Sequence, residues 1–108
     1  VFNDVLTERH SKDFILKLKK IGKPKLLIFT GFFTNNPNSS IDLLIVGRFN
    51  KIRFLRLIKE LEKELGREVN FTLMDKSEFK YRMDITDVFL YNILEGKKLV
   101  AIDKIGLV

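Results

Sequence analysis

A chain of 108 residues with 45% hydrophobic and 31% charged residues has the composition of one globular domain with a single core, neither disordered nor fibrous. Without cysteine it can form no disulfide, thiolate nucleophile or cysteine-ligated zinc site, and no apolar run reaches the roughly 20 residues of a membrane-spanning helix. A net charge of +6 is compatible with an acidic partner such as a nucleotide or nucleic acid, without establishing one.

The N-terminus lacks the basic-then-apolar layout of a secretory signal, so a cytoplasmic location and no membrane partner are expected. A start at Val1 instead of Met suggests a piece of a longer protein or a processed form, with residues 1–7 the remnant of a linker or preceding region. The whole of 1–108 reads as one domain. His10, the single histidine, stands among polar residues and reads as exposed and uninvolved. The ten phenylalanines are expected mainly in the interior, because Phe has no polar tip to place in water.

In chain order, Phe14, Ile15, Leu18 and Ile21 recur at helical spacing in a helix from Thr7 to Ile21, which Gly22 and Pro24 end. Lys25 to Thr30 is a nearly continuous apolar run, the mark of a strand covered on both faces. The cluster from Asn35 to Ser40 is the strongest turn signal, and Ile41 to Val46 is a second buried strand, antiparallel to the first because the connection is short. Asn50 can cap a helix carrying Phe54, Leu57, Ile58, Leu61 and Leu65 on one face, with Gly66 at its end. Val69 to Met74 reads as a third strand. Asp75 opens a helical stretch through Tyr81, a further helix begins at Asp84 with Asp87 in its first turn, and Lys98 to Ile102 is a last strand. This order predicts an α+β fold, a mixed β-sheet of about four strands with helices packed against it.

The stretch Thr30-Gly31-Phe32-Phe33-Thr34 through Ser39-Ser40-Ile41-Asp42-Leu43-Leu44-Ile45-Val46 resembles the active-site hairpin of the nucleotidyltransferase superfamily, the DNA polymerase beta type and its minimal group. There a strand ends in Gly-Ser and the next strand opens with Asp-x-Asp. The resemblance spans roughly Leu16 to Ile102. The second half, from Glu62 to Asn70, Glu78 to Arg82 and Asp87 to Leu90, is similar to nucleotidyltransferase-like domains attached to helix-turn-helix transcriptional regulators.

Carried over residue by residue, the resemblance implies a degenerate site. Phe32 stands where a serine binds phosphate, Ser40 where the first metal-binding carboxylate belongs, and Asn70 where the third carboxylate aligns; Asp42 alone is retained. The connection from Phe33 to Ser39 is also shorter than the family's. Asp42 then reads either as a residual metal or nucleotide contact or as a structural carboxylate accepting hydrogen bonds from the preceding Asn-Ser turn. Gly31 serves either backbone approach to a nucleotide or a tight strand exit, and Arg48, in a loop after a buried strand, is a candidate for binding an anion near the nucleotide pocket. Lys51, Arg53, Arg56, Lys59 and Lys63 could contact phosphates, although their interleaving with Glu60, Glu62 and Glu64 reads more simply as an exposed helix with local ion pairs.

The resulting expectation is a non-catalytic regulatory or interaction domain with no cofactor. Self-association, a bound nucleotide, or DNA held through an attached domain are the partners to consider. An active minimal nucleotidyltransferase is the alternative. It would need magnesium and substitute carboxylates from Asp75, Glu78, Asp84 or Asp87 near Asp42. A nucleic-acid-binding module is the second alternative.

Overall fold

In a computed structural model of the chain, residues 2–36 and 39–106 are described, their side chains from residue 11 onward. The readings of Val1, of the His10 side chain and of Pro37 and Asn38 in the turn lie outside these residues.

Four strands form one mixed sheet in the order β3-β2-β1-β4. Here β1 is Gly22–Phe29, β2 Leu43–Phe49, β3 Phe71–Met74 and β4 Leu99–Asp103; the helices are α1 Phe2–Ile21, α2 Lys51–Leu65, α3 Lys76–Asp84 and α4 Val88–Glu95. β1 is antiparallel to both β2 and β4, and β2 is parallel to β3. The short link between β1 and β2 permits only the antiparallel pairing, whereas α2 supplies the crossover that the parallel pair needs.

Side chains alternate across the two central strands. Leu27, Phe29, Leu43 and Ile45 point to one face, where Phe14 and Leu18 of α1 and Phe54, Leu57, Ile58 and Leu61 of α2 cover them. Leu26, Ile28, Leu44 and Val46 point to the other, against Phe79 of α3 and Leu90 and Ile93 of α4. Both faces of β1 and β2 are therefore buried, which is why their sequences read as unbroken apolar runs. The aromatics bear out a Phe-rich interior, with Phe14, Phe29, Phe54 and Phe79 all buried.

Several boundaries differ from the sequence reading. α1 begins at Phe2 instead of Thr7. Pro24 does not stand between helix and strand. α1 ends at Ile21 and β1 starts at once at Gly22, with Pro24 buried inside it. The strand tolerates the proline because the register slips between Pro24 and Leu26, and because β4 pairs with β1 only from Leu26 to Phe29. No second ladder there asks for the missing N–H. Asp84 closes α3 and does not open the next helix; Asp87 is the N-cap of α4, its carboxylate accepting from the Leu90 N–H at 3.1 Å. The caps of α2 fall as the sequence suggests: Asn50 Oδ1 accepts from the Arg53 N–H, and Gly66 takes the left-handed conformation at φ 70°.

Candidate functional site

The end of the sheet where β1 finishes and β2 and β3 start brings Gly31, Asp42 and Asn70 together. After β1 the chain turns through one short 3-10 helix, Gly31–Thr34, where the sequence suggested plain loop. Phe33 anchors this turn by packing edge-on against Phe29 of the core at 4.9 Å. Gly31 is at φ 55°, and a Cβ there would collide with Asp42 Oδ1 and the Ile41 carbonyl oxygen. Glycine is required twice over, by its backbone angle and by the close approach of the carboxylate.

Asp42 is buried, and each of its carboxylate oxygens is taken by a backbone amide. Oδ1 accepts from the Phe32 N–H at 2.8 Å and Oδ2 from the Asn70 N–H at 3.0 Å. Its own backbone extends the same contacts: the Asp42 N–H donates to the Asn70 carbonyl at 2.7 Å, and its carbonyl accepts from the Thr30 N–H at 2.9 Å. The carboxylate thus joins the turn after β1 to the residue before β3 across the start of β2. The sequence reading named the Asn-Ser turn as the source of its hydrogen bonds. Among the described residues the donors are Phe32 and Asn70, Ser39 turns its hydroxyl to the Ile41 carbonyl, and Asn38 lies outside the described residues.

Beside Asp42 lies an open cleft of about 590 Å³ that Gly31, Phe32, Asn35, Asn36, Ser39, Arg67 and Asn70 help to line. Arg67 lays its guanidinium over the Phe32 ring at 4.1 Å, a cation–π contact at the edge of the cleft. Nothing in the sequence singles out Arg67. It arrives there because α2 ends beside the start of β3, and β3 pairs in parallel with β2. Ser40 is exposed and lines an adjoining cleft of about 530 Å³ with Thr30, Asn92 and Lys97; Asn36 and Ser39 border both. Thr30 is buried, and its hydroxyl donates to the Lys97 carbonyl at 2.9 Å, tying this end to the loop before β4.

The donor set of the Asp42 cleft does not fit a divalent ion. Apart from Asp42, whose two oxygens already serve amides, its lining side chains are neutral or, at Arg67, cationic. Among the described residues no three carboxylate or imidazole side chains converge. Two of the acids considered as substitutes cap helices: Asp75 at the start of α3 and Asp87 at the start of α4. Glu78 and Asp87 also hold Arg82, at 3.0 and 3.2 Å.

Arg48 lies elsewhere. It stands six residues beyond Asp42 along an extended strand, about 20 Å away, and opposite Lys23 of β1. There it lines a smaller cleft of about 280 Å³ with Lys23, Lys25, Asp75, Lys76 and Ser77. The sequence places it in a loop near the nucleotide pocket; it lies instead within β2, because the strand runs on to Phe49, and linear order does not show that this end of the sheet is the one away from Asp42. Arg48 still lowers the Asp75 pKa, after the larger effects of the Glu78 N–H and the Ser77 hydroxyl.

Two acids of α2 reach beyond the helix. Glu60 binds Lys17 of α1, which Asp13 also holds at 3.2 Å, and Glu62 accepts from the Val69 N–H at 2.8 Å.

Fold and site together define the class: a three-layer α+β domain with a stapled carboxylate at the mouth of a polar cleft. Comparison with protein-family models, with curated proteins and with solved structures gave no match.

Proposed function

We propose that this chain is a non-catalytic nucleotidyltransferase-like domain, a regulatory or interaction module that works by binding and not by nucleotidyl transfer. The observation that carries the reading is the hydrogen bonding of Asp42, the one carboxylate retained from the family pattern. Both of its oxygens hold the fold together through the amides of Phe32 and Asn70. Two-metal phosphoryl chemistry needs opposed anionic ligands free to grip the ions, and the two partner positions carry Ser40 and Asn70. The similarity of the second half to domains attached to helix-turn-helix regulators makes transcriptional regulation the proposed setting.

The test is transfer of radiolabel from α-labelled nucleoside triphosphates to protein or RNA in the presence of magnesium. No transfer above a protein-free blank is expected. Transfer that disappears in a folded Asp42→Asn variant would sink the proposal.

A further inference from the structure

The net charge of the chain is concentrated at one end of the sheet, opposite Asp42. β1 starts there, β2 and β3 finish there, and the Lys104 N–H just past β4 donates to the Lys25 carbonyl at 2.8 Å. Lys23 and Arg48 face each other in the β1–β2 register, and with Lys25 and Lys76 they line one cleft. Lys51 opens α2 immediately beyond β2. The last turn of α1 adds two lysines and the first turn of α2 an arginine. Nine of the chain's 20 basic residues stand at this end.

Two acids, Asp75 and Asp103, stand among these cations, and Arg48 acts electrostatically on Asp75. Asp75 accepts from the Glu78 N–H and the Ser77 hydroxyl, and Asp103 from the Ile105 and Gly106 N–H groups. Glu78, the next acid along α3, is held by Arg82. None of the nine cations has an ion-pair partner among the described residues. The remaining eleven basic and twelve acidic residues of the chain nearly cancel. Crowding nine like charges against two counter-charges destabilises a fold, so an end built this way is suited to a polyanion.

We propose that this end of the sheet docks the phosphate backbone of a duplex nucleic acid, without reading its bases. Single strands are held by exposed aromatic rings on which bases stack. The aromatic ring at this end among the described residues, Phe49, is half-buried against Phe54 at 5.6 Å. A lipid surface takes up an apolar face together with the charge, and among the described residues the large apolar side chains exposed near here are Ile52 and Leu55, one turn apart on α2 and too few for such a face. A distributed set of cations on the ends of rigid elements matches regularly spaced phosphates better than one compact anion. The proposal does not depend on the role given to Asp42.

The test is fluorescence anisotropy of the whole chain with a labelled DNA duplex across a salt series, comparing two variants. Lys23→Gln/Arg48→Gln/Lys51→Gln/Lys76→Gln neutralises the proposed surface; Arg56→Gln/Lys59→Gln/Lys63→Gln neutralises the outer face of α2. Wild type is expected to bind with log K falling against log salt at a slope of about −4 to −5, as for five or so phosphate contacts. The first variant is expected to lose about tenfold or more in affinity and most of that slope, and the second to keep both. If the fourfold variant does not fold, Arg48→Gln and Lys76→Gln alone should each lower the slope by about one. The proposal is overturned if wild type fails to bind the duplex at low salt, if both variants weaken in proportion to the charge removed, or if single strands or anionic vesicles bind more tightly than the duplex.

Discussion

Asp42 and Asn70 are joined in both directions. The Asp42 N–H donates to the Asn70 carbonyl at 2.7 Å, and the Asn70 N–H donates back to Asp42 Oδ2 at 3.0 Å. The Leu43 N–H shares the same Asn70 carbonyl at 3.1 Å, so this exchange begins the parallel ladder that β2 and β3 continue from Leu43 and Phe71. The Asp42 side chain is thereby part of the sheet's own hydrogen bonding.

Truncating Asp42 should therefore cost stability. Asp42→Ala strands the Phe32 and Asn70 amides in a buried setting, and hydrogen bonds to a charged acceptor contribute about 1.5 to 3 kcal/mol each. A loss of about 3 kcal/mol is expected in urea denaturation. Asp42→Asn keeps one acceptor but turns an NH₂ toward the other amide, so it should fall between wild type and Asp42→Ala.

Gly31 and Gly66 separate backbone strain from steric collision. Both have positive φ, 55° and 70°, but a Cβ at Gly66 meets nothing within 4 Å, whereas at Gly31 it strikes Asp42 Oδ1. Gly66→Ala is expected to cost about 1 to 2 kcal/mol, the left-handed penalty alone. Gly31→Ala should cost clearly more, and the difference between the two unfolding free energies measures the close approach of the carboxylate.

The two-sided burial of the central strands sets a third expectation. Leu44→Ala, at a position with no exposure, should lose about 3 kcal/mol. Leu99→Ala, 57% exposed on the edge strand β4, should lose less than about 1 kcal/mol by the same denaturation measurement.

Much of this architecture is legible in the sequence, and the reasons are local. The apolar runs in β1 and β2 announce strands covered on both faces, and Asn50 and Gly66 mark the ends of α2 through capping chemistry confined to one turn. What is not legible depends on pairing between distant segments. The donors to Asp42 are 10 and 28 residues away, so the sequence shows a lone carboxylate without showing what it holds. Arg48 and Asp42 look like neighbours in the sequence but stand at opposite ends of β2. Pro24 looks like a breaker and is accommodated by a register slip, and the Asp84 to Asp87 segment offers two acids of which only the second caps a helix.

Acid stability should carry the mark of Asp75. Its carboxyl pKa is lowered from the ordinary 3.8, chiefly by the Glu78 N–H and then by the Ser77 hydroxyl. A group held more acidic in the folded state stabilises the protein above its unfolded value and stops doing so as pH falls through the folded one. The difference in Tm between wild type and Asp75→Asn should therefore be constant at neutral pH and close as pH drops below 3.8.

The role of Asp42 is tested most directly by following the backbone amides of Phe32 and Asn70 in NMR spectra while magnesium and ATP are added together. Both amides are expected to keep their chemical shifts and their protection from hydrogen exchange throughout, because the carboxylate remains committed to them. Saturable, magnesium-dependent shifts at both positions with loss of protection would mean that Asp42 leaves the amides for a metal ion, and would contradict the structural role assigned to it.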